Sequence, residues 1–316
     1  MSEVASEQHR DRTAGQIRGV VALGVGWGDG ESTGGDDGQH GGGASLLPHV
    51  VSAGNQAPAA DSSPDRDDSA AGPWPAWAVP QLHAAVEVAT RAAAQRDGTE
   101  RAVRLYREWY SPVTDRPAGS LPGARPLAGQ YRRAHAGSSV KLRVDGVLVV
   151  GRHDVVGRDG WWRTWGDAWR PLRSRRQCVR VLFTPRADAL APFVHALTAG
   201  LAGAEFPWLL ACPTAPRATR RPGHAVLHVP DAGYLGGLLA ELVPLLEDTR
   251  PPLSLPLAPG VGLAADPDNG MTFGEHRCHL IALALAPQHA REAPFEAIAE
   301  AFRTHGVDPA EPYRSS

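Results

Sequence analysis

A threonine, a glutamate, a histidine and an arginine stand close together at the expected start of a helix late in the chain. Thr272 and Glu275 have the T-x-x-E spacing of a capping box, which predicts a helix that begins at Phe273. His276 and Arg277 then lie in the first turn, beside backbone N–H groups that have no partner inside the helix. A guanidinium at the positive end of the helix dipole favours the binding of a phosphate or a carboxylate.

The same residues also have a purely structural interpretation. Apolar residues follow Arg277 at helical spacing and would anchor the helix to a core. Arg277 would then lie at the rim of the buried face and pair with an acidic neighbour. The spacing alone favours this interpretation over an anion site.

Length and composition narrow the class of protein. A chain of 316 residues allows one large domain or two small ones with a substantial core. Its three cysteines are far apart and odd in number, which fits reduced thiols in a cytoplasmic protein better than a disulfide framework. No apolar run approaches the roughly 20 residues that cross a bilayer, so no membrane partner is expected. The first residues also lack the basic and then apolar pattern of a secretory signal.

Charge is distributed unevenly along the chain. Residues 1–72 carry 11 acidic residues against 4 arginines, a net charge of −7, so the rest carries +5 of the total of −2. Because residues 1–72 are rich in Gly, Ser, Asp and Ala, we expect a disordered tail there. The mildly basic remainder suits an acidic or phosphorylated partner. The basic excess is small and no known binding module is recognisable, so no nucleic-acid partner is expected.

The first part of the body combines helices with antiparallel strands. Helical spacing is present at 80–95 and 99–110, and a short helix is expected near 127–136. Three or four strands follow, with Asp-Gly turns at 145–146 and 159–160. These elements predict an N-terminal helical and antiparallel β subdomain over residues 73–176.

The second part alternates strands and helices. From Gln177 the pattern is strand, helix, strand, strand and helix, followed by an extended segment at 253–259. A glycine- and aspartate-rich loop then leads to two helices near 273–286 and 291–305. We therefore expect an α/β sandwich-like C-terminal subdomain over residues 177–316, and an α+β fold for the whole chain.

Several segments of this second part resemble the HopA-type family of type III secretion effectors. They are PLAPGVGLAADP, THGVDPAEPY and the most specific of them, TFGEHRC. Weaker similarity runs upstream through VRVLFTPRADALAPFVHALTAGL and RPGHAVLHVP to RLYREWYSP, so the resemblance covers roughly residues 102–313. Actinobacterial relatives of the family occur in class V lanthipeptide pathways. The resemblance implies a lyase that acts with a kinase-like partner and eliminates phosphate from phosphoserine or phosphothreonine in a precursor peptide.

This elimination has three chemical requirements. A base takes the α-proton, cationic donors hold the phosphate, and an acid helps the leaving oxygen to depart. The resemblance implies that Arg277 and Arg221 hold the phosphate and that His276 lies near the leaving group. Arg180, on the preceding strand, is a further candidate donor. No cofactor is implied.

Two positions depart from the family pattern. The family has a lysine base ten residues before the arginine of its R-P-x-x-A-V-L motif, but this chain has Ala211 at that distance from Arg221. His228 stands where the family has a tyrosine. The candidate replacement bases are His228 and Lys141, the only lysine in the chain. Without a replacement, the chain would bind the precursor peptide or the kinase-like partner without catalysis, or act as an effector-like interaction protein.

Two further histidine patterns have more than one interpretation. His224 and His228 alternate with Val226, so both can face the cleft that holds Arg221, or both can be surface groups on an edge strand. Glu275 and His279 share a helix face, but no second cluster supplies further metal ligands. No metal site is therefore expected.

Overall fold

The structure is a computed structural model that describes most of the expected body of the chain. The expected tail lies outside the described residues except for Gly72, and Lys141 also lies outside them. The predictions made for both therefore stay predictions. The described residues are 72–91, 98–113, 124–136, 142–144, 147–149, 160–170, 178–267, 269–286 and 292–315.

Helices and strands both contribute to the described part of the chain, which confirms the α+β class. The π-helix Tyr106–Tyr110 directly continues the second α-helix. The α-helices are α1 (Val79–Arg91), α2 (Gly98–Leu105), α3 (Ala124–Ala134), α4 (Leu190–Gly200), α5 (Gly236–Leu242), α6 (Phe273–Ala284) and α7 (Pro294–Thr304). The strands are β1 (Leu142–Val144), β2 (Val147–Val149), β3 (Trp161–Trp165), β4 (Val179–Phe183), β5 (Leu209–Pro213), β6 (Ala225–Val229), β7 (Leu255–Ala258) and β8 (Val261–Ala264).

A six-stranded sheet organises the fold. Its strand order is β3-β5-β6-β4-β8-β7, and all neighbours are antiparallel. β1 and β2 form a separate antiparallel pair, in which Val144 lies opposite Val147, as the first Asp-Gly hairpin predicts. β3 precedes residue 176 but belongs to the large sheet, so the sheet contains residues from both expected subdomains. The division at that point stays a prediction.

Each face of the sheet is covered by a different set of helices. Side chains alternate between the two faces of a strand. Val181 and Leu227 lie on one face, in a core that includes residues of α3 and α4. Leu182 and Ala264 lie on the other face, in a core that includes residues of α1, α2, α6 and α7. The elements around the candidate site belong to this second face.

The capping box at the start of α6 is confirmed. The Thr272 side chain accepts a hydrogen bond from the backbone N–H of Glu275, and the Glu275 carboxylate accepts one from the backbone N–H of Thr272. Helix α6 begins at Phe273, as predicted. A Cβ on Gly274 would lie 2.0 Å from Cε1 of Tyr110, so the glycine allows α6 to pack closely against the π-helix.

Two predictions about the sheet were wrong. The glycine-rich stretch before α6 is not all loop, because it contains strand β8, which forms a hairpin with β7. Gly260 permits this hairpin, since it has a φ of +72° and a Cβ there would lie 2.2 Å from the Glu247 carbonyl oxygen. The edge-strand interpretation of His228 also fails, because β6 pairs on both sides with β5 and β4.

Candidate anion-binding site

Arg180 lies in the interior of the sheet, on the face covered by α6. Its position on β4 pairs with His228 on β6 and with Ala264 on β8. The terminal nitrogen Nη2 forms an ion pair with Asp266, which follows β8. The Nε atom is buried and has no hydrogen-bond partner. Arg180 therefore has one nitrogen held by a carboxylate and another that is unsatisfied.

Arg221 lies at the start of the loop that enters β6. Its backbone is extended, and its carbonyl oxygen lies 2.8 Å from Nδ1 of His224. Gly223, with a φ of +64°, lets this loop lie flat against the sheet, because a Cβ there would be 2.3 Å from Cγ of Pro251 and 3.3 Å from Cβ of Leu182. The loop therefore packs against the segment that carries Arg250.

Arg250 is a third arginine at the same location, and the sequence patterns did not identify it. Its Cβ lies 3.8 Å from the position of a Cβ on Gly262, the β8 residue that pairs with Leu182. Arg250 therefore approaches the sheet from the face that carries Arg180. It precedes a Pro-Pro turn, and no local pattern marks it as a binding residue.

Four buried nitrogens in this region have no hydrogen-bond partner. They are Nε of Arg180, Arg221 and Arg250, and Nε2 of His224. We call these four residues the arginine cluster. Among the described residues, no other buried side-chain nitrogen or oxygen is unsatisfied. Such groups cost about 1–3 kcal/mol each when they stay unpaired, so their concentration indicates a place for a ligand. The three cationic donors favour an anion.

His224 adds a hydrogen-bond acceptor to the arginine cluster. Its side chain is 4% exposed, and burial lowers its pKa to about 4, against a smaller opposing effect of the hydrogen bond to Arg221. The ring is therefore neutral at pH 7. Because the Arg221 carbonyl can only accept, Nδ1 must carry the proton, and the unpaired Nε2 is the acceptor.

Tyr106 in the π-helix is a further residue that the sequence patterns missed. Burial, and to a smaller extent nearby Glu275, raise the pKa of its hydroxyl to about 12, against the lowering effects of Arg221 and Arg180. Both arginines therefore lie within electrostatic reach of this hydroxyl. The segment RLYREWYSP was part of the resemblance, but nothing in its spacing distinguished Tyr106.

Arg277 is fully buried, which differs from the expected position at the rim of α6. Its Nε donates to the Pro312 carbonyl at 2.8 Å, and its Nη2 donates to the Arg314 carbonyl. The guanidinium also lies 4.8 Å from the ring centre of Phe273 and 5.7 Å from that of Phe302. Burial lowers its pKa to about 10, so it stays charged at pH 7. The hydrogen bonds of Arg277 thus hold the C-terminal segment against α6.

The backbone donors at the start of α6 are already engaged. The Phe273 N–H donates to Oδ1 of Asp266 at 3.0 Å, and the Glu275 N–H donates to the Thr272 hydroxyl. Asp266 also pairs with Arg180, so one carboxylate joins the helix start to the arginine cluster. The chain's own side chains thus occupy the place where the sequence pattern suggested an external anion. The role of Arg277 in phosphate binding stays a prediction.

Among the described residues, His276 forms a side-chain hydrogen bond with Arg277 and with no member of the arginine cluster. Its Nδ1 is 2.6 Å from Nη1 of Arg277 and accepts a hydrogen bond from it. Burial lowers its pKa to about 4, with further lowering by Arg277, His279 and His305. His279, in α6, and His305, after α7, belong to the C-terminal end of the fold. A role for His276 near the leaving group stays a prediction.

The structure shows where the lysine base of the family would lie, because Ala211 occupies that position. Ala211 on β5 pairs with Arg163 on β3 and with Val226 on β6, so its side chain shares the face of the arginine cluster. Arg163 is 7% exposed and supplies a positive charge beside Ala211. A guanidinium stays protonated at neutral pH and cannot act as the base. The structure brings together Arg180, Arg221 and His228. Asp266, which pairs with Arg180, also lies within electrostatic reach of Arg277, and Arg277 donates a hydrogen bond to His276.

The comparisons with known proteins agree with this fold. Residues 165–314 match the model of the HopA1 effector protein family. The matched segment is slightly less than half of the chain. No curated protein matches the chain. Among the described residues, no group of three or more potential metal ligands is placed to hold an ion, and no helix is long and apolar enough to cross a membrane.

Two solved effector structures are similar in fold to this chain. The effector protein from Pseudomonas syringae pv. syringae strain 61 is 16% identical, with a TM-score of 0.50, over 75% of this chain and 98% of that one. The effector protein from Pseudomonas syringae pv. tomato strain DC3000 is 14% identical, with a TM-score of 0.52, over 76% of this chain and 98% of that one. The similarity therefore extends upstream of the HopA1-family segment. At these identities it concerns the fold alone.

Proposed function

We propose that this protein binds a phosphorylated serine or threonine of a peptide at the arginine cluster. The single observation that carries the proposal is the concentration of three unsatisfied, buried arginine Nε atoms on one side of one sheet. Arginine matches phosphate well, because its planar fork of donors fits the phosphate oxygens. Asp266 neutralises part of the charge of Arg180, and Arg221 and Arg250 add two further positive charges.

The HopA1-type fold and the resemblance of the chain support a place in peptide maturation. In this proposal the substrate is a lanthipeptide-type precursor, phosphorylated by a kinase-like partner that delivers it. Arg180, Arg221 and Arg250 hold the phosphate. Because Ala211 provides no base, binding without efficient elimination is the function that the geometry supports best.

A second candidate function is elimination with His228 as the base. Its supporting observation is the pairing of His228 with Arg180, which puts an imidazole beside a phosphate-binding guanidinium on one sheet face. The base would remove the α-proton of the phosphorylated residue. The released electron pair would form the Cα=Cβ bond, the Cβ–O bond would break, and phosphate would leave with its bonding electrons.

Calorimetry and mass spectrometry separate these functions. The full chain is titrated with a short phosphothreonine peptide and with its unphosphorylated counterpart, and each mixture is checked for loss of phosphoric acid.

Arg180→Ala and Arg221→Ala should each weaken phosphopeptide binding about 10–150-fold, the equivalent of about 1.5–3 kcal/mol. Arg104→Ala is the control, because Arg104 is partly exposed and pairs with Glu108 on the helix surface. Robust elimination that His228→Ala abolishes would establish the lyase instead.

Absence of binding to any phosphopeptide, with or without a kinase-like partner, would overturn both functions. The chain would then be an effector-like interaction protein. Binding that tolerates both arginine substitutions would place the phosphate outside the arginine cluster.

A further inference from the structure

The π-helix Tyr106–Tyr110 is a rare type of helix, and it packs on the sheet face that carries the arginine cluster. It continues α2 without a break, and the Ser111 N–H donates to the Tyr106 carbonyl at 2.8 Å, the five-residue spacing of this helix type. π-helical turns are rare and often occur at functional sites, because they re-aim a side chain within a regular helix. Here the turn contains Tyr106, and it lies upstream of the HopA1-family segment 165–314.

Packing fixes the position of the Tyr106 ring. The ring stacks on Tyr110 with centroids 5.4 Å apart and planes 27° apart. Tyr110 is held in turn by Gly274, where a Cβ would be 2.0 Å from its ring, and by Phe273 at 6.2 Å between centroids. Tyr106 also packs against the core that contains Leu182, on the sheet face of the arginine cluster.

The Tyr106 hydroxyl is a neutral donor within electrostatic reach of two arginines and of Glu275. It makes no hydrogen bond with any described residue, although Arg180 and Arg221 lie within electrostatic reach of it. The two arginines alone would favour the phenolate. Burial and Glu275 act in the opposite direction and keep the pKa near 12, so the hydroxyl keeps its proton at neutral pH. Such a hydroxyl can donate to an anion that accepts from the arginines at the same time.

We infer that the Tyr106 hydroxyl donates a hydrogen bond to the phosphate held by Arg180 and Arg221, and so completes the anion site from outside the HopA1-family segment. This inference rests on the proposed function. It assigns to the π-helix a direct part in binding. Residues 165–314 alone would lack this donor.

Tyr106→Phe tests the inference, because it keeps the stacked ring and removes only the hydroxyl. The probes are inorganic phosphate and acetyl-Ala-phosphothreonine-Ala-amide, titrated into the full chain. Binding should weaken about 10-fold or more, since one hydrogen bond to a charged acceptor corresponds to about 10–150-fold. Tyr234→Phe is the matched control and should bind like the unchanged protein, since Tyr234 is 57% exposed and stacks on Phe206 outside the arginine cluster.

The rise in melting temperature caused by each probe is measured as a second readout. It compares each variant with and without ligand, so it reports binding even if Tyr106→Phe changes the basal stability. An unchanged rise and an unchanged affinity in Tyr106→Phe, combined with weaker binding in Arg180→Ala, would overturn the inference and leave the proposed function intact. If the unchanged protein binds neither probe, the proposed function fails together with the inference.

Discussion

Arg180 and His228 occupy paired positions on neighbouring antiparallel strands in the interior of the sheet. Their side chains project from the same face, because directly opposite residues of an antiparallel pair share a face. The ring of His228 also lies 6.1 Å from that of Trp169, in an edge-to-face arrangement. Backbone pairing thus fixes a guanidinium and an imidazole side by side.

Ala211→Lys should create or raise elimination of phosphate from a phosphothreonine peptide. A lysine there would lie beside Arg163, in a largely buried row of the sheet, and both conditions lower an amine pKa towards the useful range. General-base catalysis contributes about 10²–10⁴-fold in rate, so the gain is measurable by mass spectrometry. Ala211→Met is the control for size. Equal elimination by the unchanged protein and Ala211→Lys would show that the base is already present elsewhere.

Arg277→Met should destabilise the fold and leave phosphopeptide binding nearly unchanged. The substitution removes the hydrogen bonds to the carbonyls of Pro312 and Arg314 and the cation–π contact with Phe273. We expect a loss of about 3 kcal/mol in the free energy of unfolding, measured by urea denaturation. Binding is measured below the melting temperature of the variant. Weaker phosphopeptide binding at unchanged stability would show that Arg277 contributes to phosphate binding.

Thr272→Ala should lower the free energy of unfolding by about 1 kcal/mol, because it removes the N-cap of α6. Thr272→Ser keeps the hydroxyl and is the matched control. Urea denaturation of the two variants gives the comparison. A stability of Thr272→Ala equal to that of Thr272→Ser would mean that the Asp266 hydrogen bond to Phe273 holds the helix start alone.

Stability should fall as the pH drops from about 6.5 towards 4. Burial holds the pKa of His224 at about 4, below its unfolded value of 6.5, so protonation favours the unfolded chain. The contribution of neutral His224 to the free energy of unfolding is complete above pH 6.5 and decreases between pH 6.5 and 4. The total decrease is about 3 kcal/mol, at about 1.4 kcal/mol per pKa unit. His276, whose pKa is also lowered to about 4, acts in the same direction.

His224→Gln isolates the part that His224 contributes to this acid sensitivity. The amide cannot titrate, so the slope of unfolding free energy against pH should become shallower between pH 6.5 and 4. His195→Gln, at an exposed histidine of α4, is the control and should keep the original slope. If the slope is unchanged in His224→Gln, the acid sensitivity arises from other groups.

Local features of the fold were predictable from the sequence. The capping box at Thr272 and Glu275 acts within one helical turn, so its spacing alone set the start of α6. Strand β4 and helix α4 were likewise recognisable from the periodicity of their apolar residues. β8 was missed because glycine and aspartate, typical of loops, flank its short apolar stretch.

The composition of the candidate site was decided by tertiary structure. Arg277 and Arg180 were both candidate phosphate ligands, and the structure shows Arg277 fully buried and hydrogen bonded to the C-terminal segment, which returns to α6. Arg250 and Tyr106 joined Arg180 only through the approach of a loop and a π-helix that are distant in sequence. The sequence alone determined the start of α6, since it depends on short-range spacing. Which charged side chains share a face, and which are already satisfied by the chain, depends on contacts between distant segments that no local pattern contains.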